Sequence, residues 1–172
     1  MVEVMVVVLI LAIVATVGLP ALNSSFNHAR LSGAAEEVVN ALQYAQLTAI
    51  TSGQKVRVVI GHSDERIVLR QFSQIADLIG GNDELLANQV EGGNYLLMEY
   101  PLKKGTDYLI RMTDEDRFRG VDIVASNFPV DTPLHFDSLG SPSHGGSATL
   151  AFAGQQIVVT LDGLTGKVTV SQ

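Results

Sequence analysis

Gly163-Leu164-Thr165-Gly166-Lys167 has the glycine and lysine content of a phosphate-binding loop. Such a loop needs a longer run of backbone N–H groups and a Ser or Thr after the lysine to meet magnesium; here the spacing is short and Val168 follows. The composition instead predicts a β-turn. His28, His62, His135 and His144 are scattered, with no pair one helical turn apart that could share a metal. Ser138, Ser141 and Ser143 lie in a Gly/Pro loop without the glycine frame of a nucleophile elbow. Asp114-Glu115-Asp116 offers carboxylates for Ca²⁺ but lacks the ligand spacing of a calcium loop, and reads as a solvated acidic turn. Zero cysteines remove disulfides, thiolate nucleophiles and cysteine-type zinc sites together. No catalytic residue, metal site or cofactor is nominated. What remains is a single carboxylate in unusual company, Glu3.

From Val4 to Leu22 no residue carries a charge, an amide or an imidazole, and the next formal charge after Glu3 is Arg30. As a helix this run spans roughly 29 Å at about 1.5 Å per residue, close to the ~30 Å hydrocarbon thickness of a bilayer. Only a helix satisfies its own backbone in lipid, so helix is expected despite the many valines. A cleaved secretory signal would want basic residues ahead of the run, and the sequence offers Glu instead. A plain single-pass anchor fits better but leaves Glu3 without a role. A carboxylate at the edge of lipid is a candidate site that requires a partner, and an amine or other donor on a neighbouring subunit's helix suits it. Gly18 and Pro20 fall inside the run, where a missing hydrogen bond and a steric clash predict a kink or a locally unwound stretch near residues 16–20.

Beyond Asn23 polarity rises while the helical period persists. Leu31, Ala34, Ala35, Val38, Leu42, Ala45 and Ala49 form an apolar stripe, with Arg30, Glu36, Glu37, Asn40 and Gln43 mostly off it. Thr51-Ser52-Gly53 ends it, Gly53 being suited to a left-handed cap. One helix of this length is about 75 Å long, far more than a domain of this size can cover, so its first half must project. Strands are then expected at Lys55–Ile60 and Ile67–Phe72, joined by a turn over Gly61–Glu65, and at Tyr108–Met112, Val121–Ala125, Leu134–Phe136, Ala148–Phe152, Gln156–Leu161 and Lys167–Ser171. Residues 73–105 read as an irregular insertion, with a short helix at Asp83–Gln89 and a strand at Tyr95–Tyr100. The expected fold class is α+β. A long N-terminal helix, transmembrane in its first half and amphipathic in its second, packs on an antiparallel β head of two sheets. Residues 1–24 form the projecting half; the head covers 25–172, with the amphipathic helix at 25–53 and the β-rich part at 54–172. A formal charge of −7 opposes tight binding to a phosphate backbone, which needs clustered Lys and Arg. About 150 residues are enough for a core without disulfides.

Glu3-Val4-Met5-Val6-Val7-Val8, running on to Gly18-Leu19-Pro20-Ala21-Leu22, resembles the N-terminal helix of type IV pilins and type II secretion pseudopilins. Ala45 to Val56 is similar to the end of the long helix in the GspH/FimT group of minor pseudopilins. Leu134-His135-Phe136-Asp137-Ser138-Leu139-Gly140-Ser141-Pro142 resembles that group's strand and glycine turn, and Gly163 to Val168 its closing hairpin, with Lys167 where the group has Arg. The middle of the chain, 73–105 above all, does not match.

The resemblance implies a non-enzymatic minor pseudopilin, a subunit of a periplasmic type II secretion pseudopilus involved in protein export. It implies a leader removed before a methylated N-terminus, a start of this chain slightly inside that point, and a single-pass stay in the inner membrane with the head in the periplasm. Glu3, with Gly18 and Pro20 as the deformable segment, would serve assembly against other pseudopilin or pilin subunits through the N-terminal helix, after contact with membrane lipid. The insertion, with Asn82, Asp83 and Asn94 exposed, is the expected contact for other subunits or secreted cargo. The alternative is a type IV pilus minor pilin binding DNA for uptake, for which Lys167 is the weak candidate contact in an acidic head.

Overall fold

A computed structural model describes residues 2–61, 66–72, 95–102, 104–128 and 133–172; the side chains of 14–24, 70–72 and 95–97 are outside that description. The expected turn residues 62–65 and helix at Asp83–Gln89 fall outside it too.

Helix α1 runs unbroken over Val2–Ser52, 51 residues. Leu31, Ala34, Ala35, Val38, Ala41, Leu42, Ala45 and Ala49 are buried, the periodic stripe with Ala41 added. Its many alanines let strands approach the helix axis closely, while Leu31 and Leu42 fill the space between, each stabilising the fold by about 1.5–3 kcal/mol through burial. Glu37 departs from expectation: it is only 7 % exposed. It stands at the flank of the buried arc, where tyrosines from the β head reach it. The helix stops after Thr51 and Ser52 turn their hydroxyls back on the carbonyls of Leu47 and Thr48 (2.9 and 2.6 Å), and Gly53 follows with φ of 66°. Of the two forms expected near Gly18 and Pro20, local unwinding is not what forms: the backbone stays helical through both. A proline lacks one donor, and the remaining ladder on either side is enough to carry the helix past it.

Two antiparallel sheets pack on the second half of α1. In the first, β1 (Val56–Gly61) lies between β2 (Arg66–Phe72) and β6 (Leu134–Phe136). β3 (Tyr95–Leu97) and β4 (Leu109–Arg111) share the outer edge of β2, β3 opposite Arg70–Phe72 and β4 opposite Arg66–Val68. Between them Leu69 bonds to both neighbours, giving its N–H to the Tyr108 carbonyl and accepting from Met98 N–H, each at 3.1 Å. The far end of the expected insertion is therefore part of a sheet.

The second sheet has the order β5-β7-β8-β9, from β5 (Asp122–Ser126), β7 (Gly146–Phe152), β8 (Gln155–Leu161) and β9 (Val168–Ser171). Ala153 and Gly154, with φ of 49° and 80°, make the two-residue turn between β7 and β8, the primed geometry that matches strand twist. Leu150, Ile157, Val159 and Leu161 face the helix side of this sheet; Val56, Val58, Leu69 and Phe136 do so from the other, and all belong to one core. The expected β elements are present, β7 starting slightly earlier, and β3 and β4 being shorter than the pattern suggested.

Candidate functional site

The rod comes first. Glu3 lies in the first turn of α1, where the unpaired N–H groups favour a negative charge. From Val2 to Ile13 the large apolar side chains are 49–75 % exposed. Leaving this much valine, leucine and isoleucine in water is unfavourable by roughly 25 cal/mol per Å², so the segment requires a cover that its own head does not supply. Among the described residues no helix is long and apolar enough to cross a membrane, the side chains of 14–24 being outside the description. Gly18 and Pro20 are known by their helical backbone alone. Asn82, Asp83 and Asn94 lie outside the described residues.

At the other end of α1, two turns of the head close on the helix. In the first, Asp137 Oδ1 accepts the N–H groups of Leu139 (2.9 Å) and Ser141 (2.8 Å). In the second, Asp162 Oδ1 accepts from Leu164 N–H (3.0 Å), Thr165 N–H (2.7 Å) and the Thr165 hydroxyl (2.8 Å). Those bonds, all favouring the charged form, hold the Asp162 carboxyl below its usual range. Each turn contains a glycine in the left-handed region, Gly140 at φ 80° and Gly166 at φ 68°. Both glycines also lack room: a methyl on Gly140 would meet the Ile50 side chain at 2.6 Å, and one on Gly166 the Gln46 amide at 2.6 Å. Gln46 Nε2 donates to the Gly140 carbonyl at 2.9 Å, so one helix side chain fastens the first turn and abuts the second.

This geometry settles the chemistry of 163–167. The N–H groups that would cradle phosphate are given to Asp162, and Asp162 N–H bonds the Lys167 carbonyl at 2.9 Å. A second anion would meet the aspartate before it met the loop's donors. Lys167 is exposed beside that carboxylate, an unfavourable place from which to grip DNA. The Ser143 hydroxyl lies 2.9 Å from His144 Nδ1 and accepts His135 N–H at 3.2 Å, so it holds a loop crossing in place. Burial, with His135 nearby, lowers the His144 imidazole's affinity for a proton. Among the described residues no three His, Asp or Glu are grouped to hold a metal ion.

A polar cluster sits within the core between these two ends. Glu37 Oε1 accepts the hydroxyls of Tyr100 (3.3 Å) and Tyr108 (3.4 Å). Tyr108 stacks on Tyr44 with ring centroids 5.7 Å apart and meets Tyr100 edge-on at 4.9 Å. Burial, then the charge of Glu37, pushes both phenols above their ordinary value of 10.0, Tyr108 the further; Arg117 partly offsets this at Tyr100. The cluster ties α1 to the chain leaving the insertion. Sequence reading missed it because Glu37 reads as one of the polar residues off the stripe. It missed Gln46 because nothing local links it to glycines about a hundred residues on.

A helix apolar and exposed from Val2 to Ile13, its second half buried under two antiparallel sheets, gives the architecture of a pilin-like fold. The family model described as Type II transport protein GspH matches residues 34–165, and the chain belongs to that family. Two solved structures share the fold. A structure of the minor pseudopilin EpsH from the type 2 secretion system of Vibrio cholerae matches with a TM-score of 0.56 and 16% identity, over 83% of this chain and 96% of that one. A crystal structure of the same Vibrio cholerae pseudopilin matches with a TM-score of 0.53 and 14% identity, over 82% and 92%. No curated protein matches the chain significantly by sequence.

Proposed function

We infer that the chain is a non-enzymatic minor pseudopilin, a structural subunit of the periplasmic pseudopilus of a type II secretion system. Family membership supplies the system. The observation that carries the role is the projecting rod, apolar and exposed from Val2 to Ile13 on a helix whose other half is core. Residues 4–22 hold the newly made subunit in the inner membrane, head in the periplasm, and the same surface is then transferred to neighbouring rods. Lipid and sister helices solve the same problem in turn, since each hides the apolar side chains from water. Glu3 is the one charge on this surface. It pairs with the N-terminal amine of an adjacent subunit, an ion pair that gains strength as lipid or protein excludes water.

Substituting Glu3→Ala in the full chain tests this. Membrane insertion and head folding stay as they were, while incorporation into the pseudopilus, read by shearing and sedimentation, is lost together with export of the system's substrates. Normal incorporation of the variant removes Glu3 from the role.

A further inference from the structure

Between the apolar run and the head lies a short neck of α1, Asn23 to Arg30. The head closes on the helix only from Leu31, which is fully buried. Phe26 is the only Phe, Tyr or Trp before Tyr44, and it is 64 % exposed. Arg30 is the first basic residue of the chain and is exposed as well. Arg111, Arg117 and Arg119 each stand beside a carboxylate, at 3.7, 3.9 and 3.3 Å. Among the described residues Arg30 has no such partner. Four positions apart, Phe26 and Arg30 share one face of the helix. Helical side chains lean toward the N-terminus, so both aim back at the apolar run.

We propose that Phe26 and Arg30 form a site for the headgroup of an anionic phospholipid at the head side of the bilayer. The proposal rests on the membrane stage of the proposed function. With Val4 to Leu22 filling the hydrocarbon, Phe26 stands about 6 Å and Arg30 about 12 Å beyond it, at ~1.5 Å per residue of unbroken helix. The headgroup layer on each side is about 5–7 Å deep, so the Phe26 ring sinks into its base. The Arg30 side chain, reaching back along the helix, brings its guanidinium to the phosphate. There it can give two parallel N–H bonds to the phosphate oxygens. Charge separates the candidate occupants. A parallel copy in the same bilayer brings a second Arg30 to the same depth, and like charge disfavours it. The chain as a whole carries −7 and is repelled by an anionic surface, so the contact depends on Arg30.

The chain has no tryptophan, so a single Phe26→Trp in the full chain reports on its surroundings by fluorescence. The protein is placed in a large excess of vesicles of phosphatidylglycerol and phosphatidylcholine in equal amounts. One lipid or the other is brominated near the top of its acyl chains, where bromine quenches a nearby indole. A separate Leu9→Trp chain reports on the rod. Brominated phosphatidylglycerol is expected to quench the Phe26→Trp chain about two- to fivefold more strongly than brominated phosphatidylcholine. Adding Arg30→Gln, or high salt, removes that preference, while adding Lys167→Gln leaves it. The Leu9→Trp chain is quenched equally by both lipids throughout. Equal quenching of the Phe26→Trp chain by the two lipids, a preference that survives Arg30→Gln, or no quenching at position 26 overturns the headgroup site. In each of those cases a quenched Leu9→Trp chain leaves the membrane reading intact. An unquenched Leu9→Trp chain removes that reading, and the proposal falls with it.

Discussion

Glu37 shows what a single buried carboxylate does in this core. Tyr100 also reaches Arg117, but Tyr108 is buried, so Glu37→Ala leaves the Tyr108 hydroxyl buried without that acceptor. The substitution is expected to destabilise the head by about 1–3 kcal/mol in denaturant unfolding, and Tyr108→Phe by less, about 0.5–1.5 kcal/mol. The pH dependence has a definite sign. Both phenols bind their protons more tightly folded than unfolded, so their contribution is complete below the ordinary tyrosine value of 10.0 and is lost as pH rises beyond it. Unfolding followed from pH 8 to 12 should show stability declining only above about pH 10, with a weaker decline in Tyr108→Phe. A second residue carries a small, correctable cost. Ala153 occupies a left-handed position at φ 49° beside Gly154. Ala153→Asn, the residue that two-residue hairpins prefer there, should raise stability by about 0.5–1 kcal/mol. None of this was legible in the sequence: a Glu at the margin of a helical stripe and tyrosines some sixty residues on give no sign that they meet.

At the scale of elements, the strands were legible and the way they close on the helix was not. Alternating Val, Ile and Leu between clusters of Gly, Ser and Asp placed the β segments because burial of one face and turn chemistry are both local. The Asp137 and Asp162 turns were visible as turns, but their job depends on Gln46, which lies 94 residues from Gly140 in the chain. Three glycines separate the causes. Gly154 has φ 80° with open space around its missing Cβ, whereas Gly140 and Gly166 have similar φ and no room. Gly154→Ala is expected to cost about 1–2 kcal/mol for the backbone alone. Gly140→Ala and Gly166→Ala should cost more by the amount needed to swing the Ile50 and Gln46 side chains aside; equal losses at all three positions would show that those side chains yield freely. The kink or unwinding expected near Gly18 and Pro20 is a different lesson. A rule about one missing donor is local, but an unbroken ladder to either side decides the outcome.

The whole molecule is a head that is complete and a rod that is not. The buried half of α1 shares a core with both sheets, and from Val2 to Ile13, among the described residues, the apolar side chains stand exposed. The buried stripe from Leu31 to Ala49 was the most legible feature of the sequence, because its three- and four-residue spacing follows from hydrophobicity alone. The chain has no native cysteine, so a single Leu9→Cys reports cleanly on what covers the rod. The deciding measurement is thiol cross-linking of that variant in cells making the complete secretion system. The account predicts adducts between position 9 and the N-terminal helices of other pseudopilins, diminished by adding Glu3→Ala. A chain that instead cross-links only to its own head, or stays monomeric in detergent-free buffer with the rod folded against its β-sheets, would contradict it.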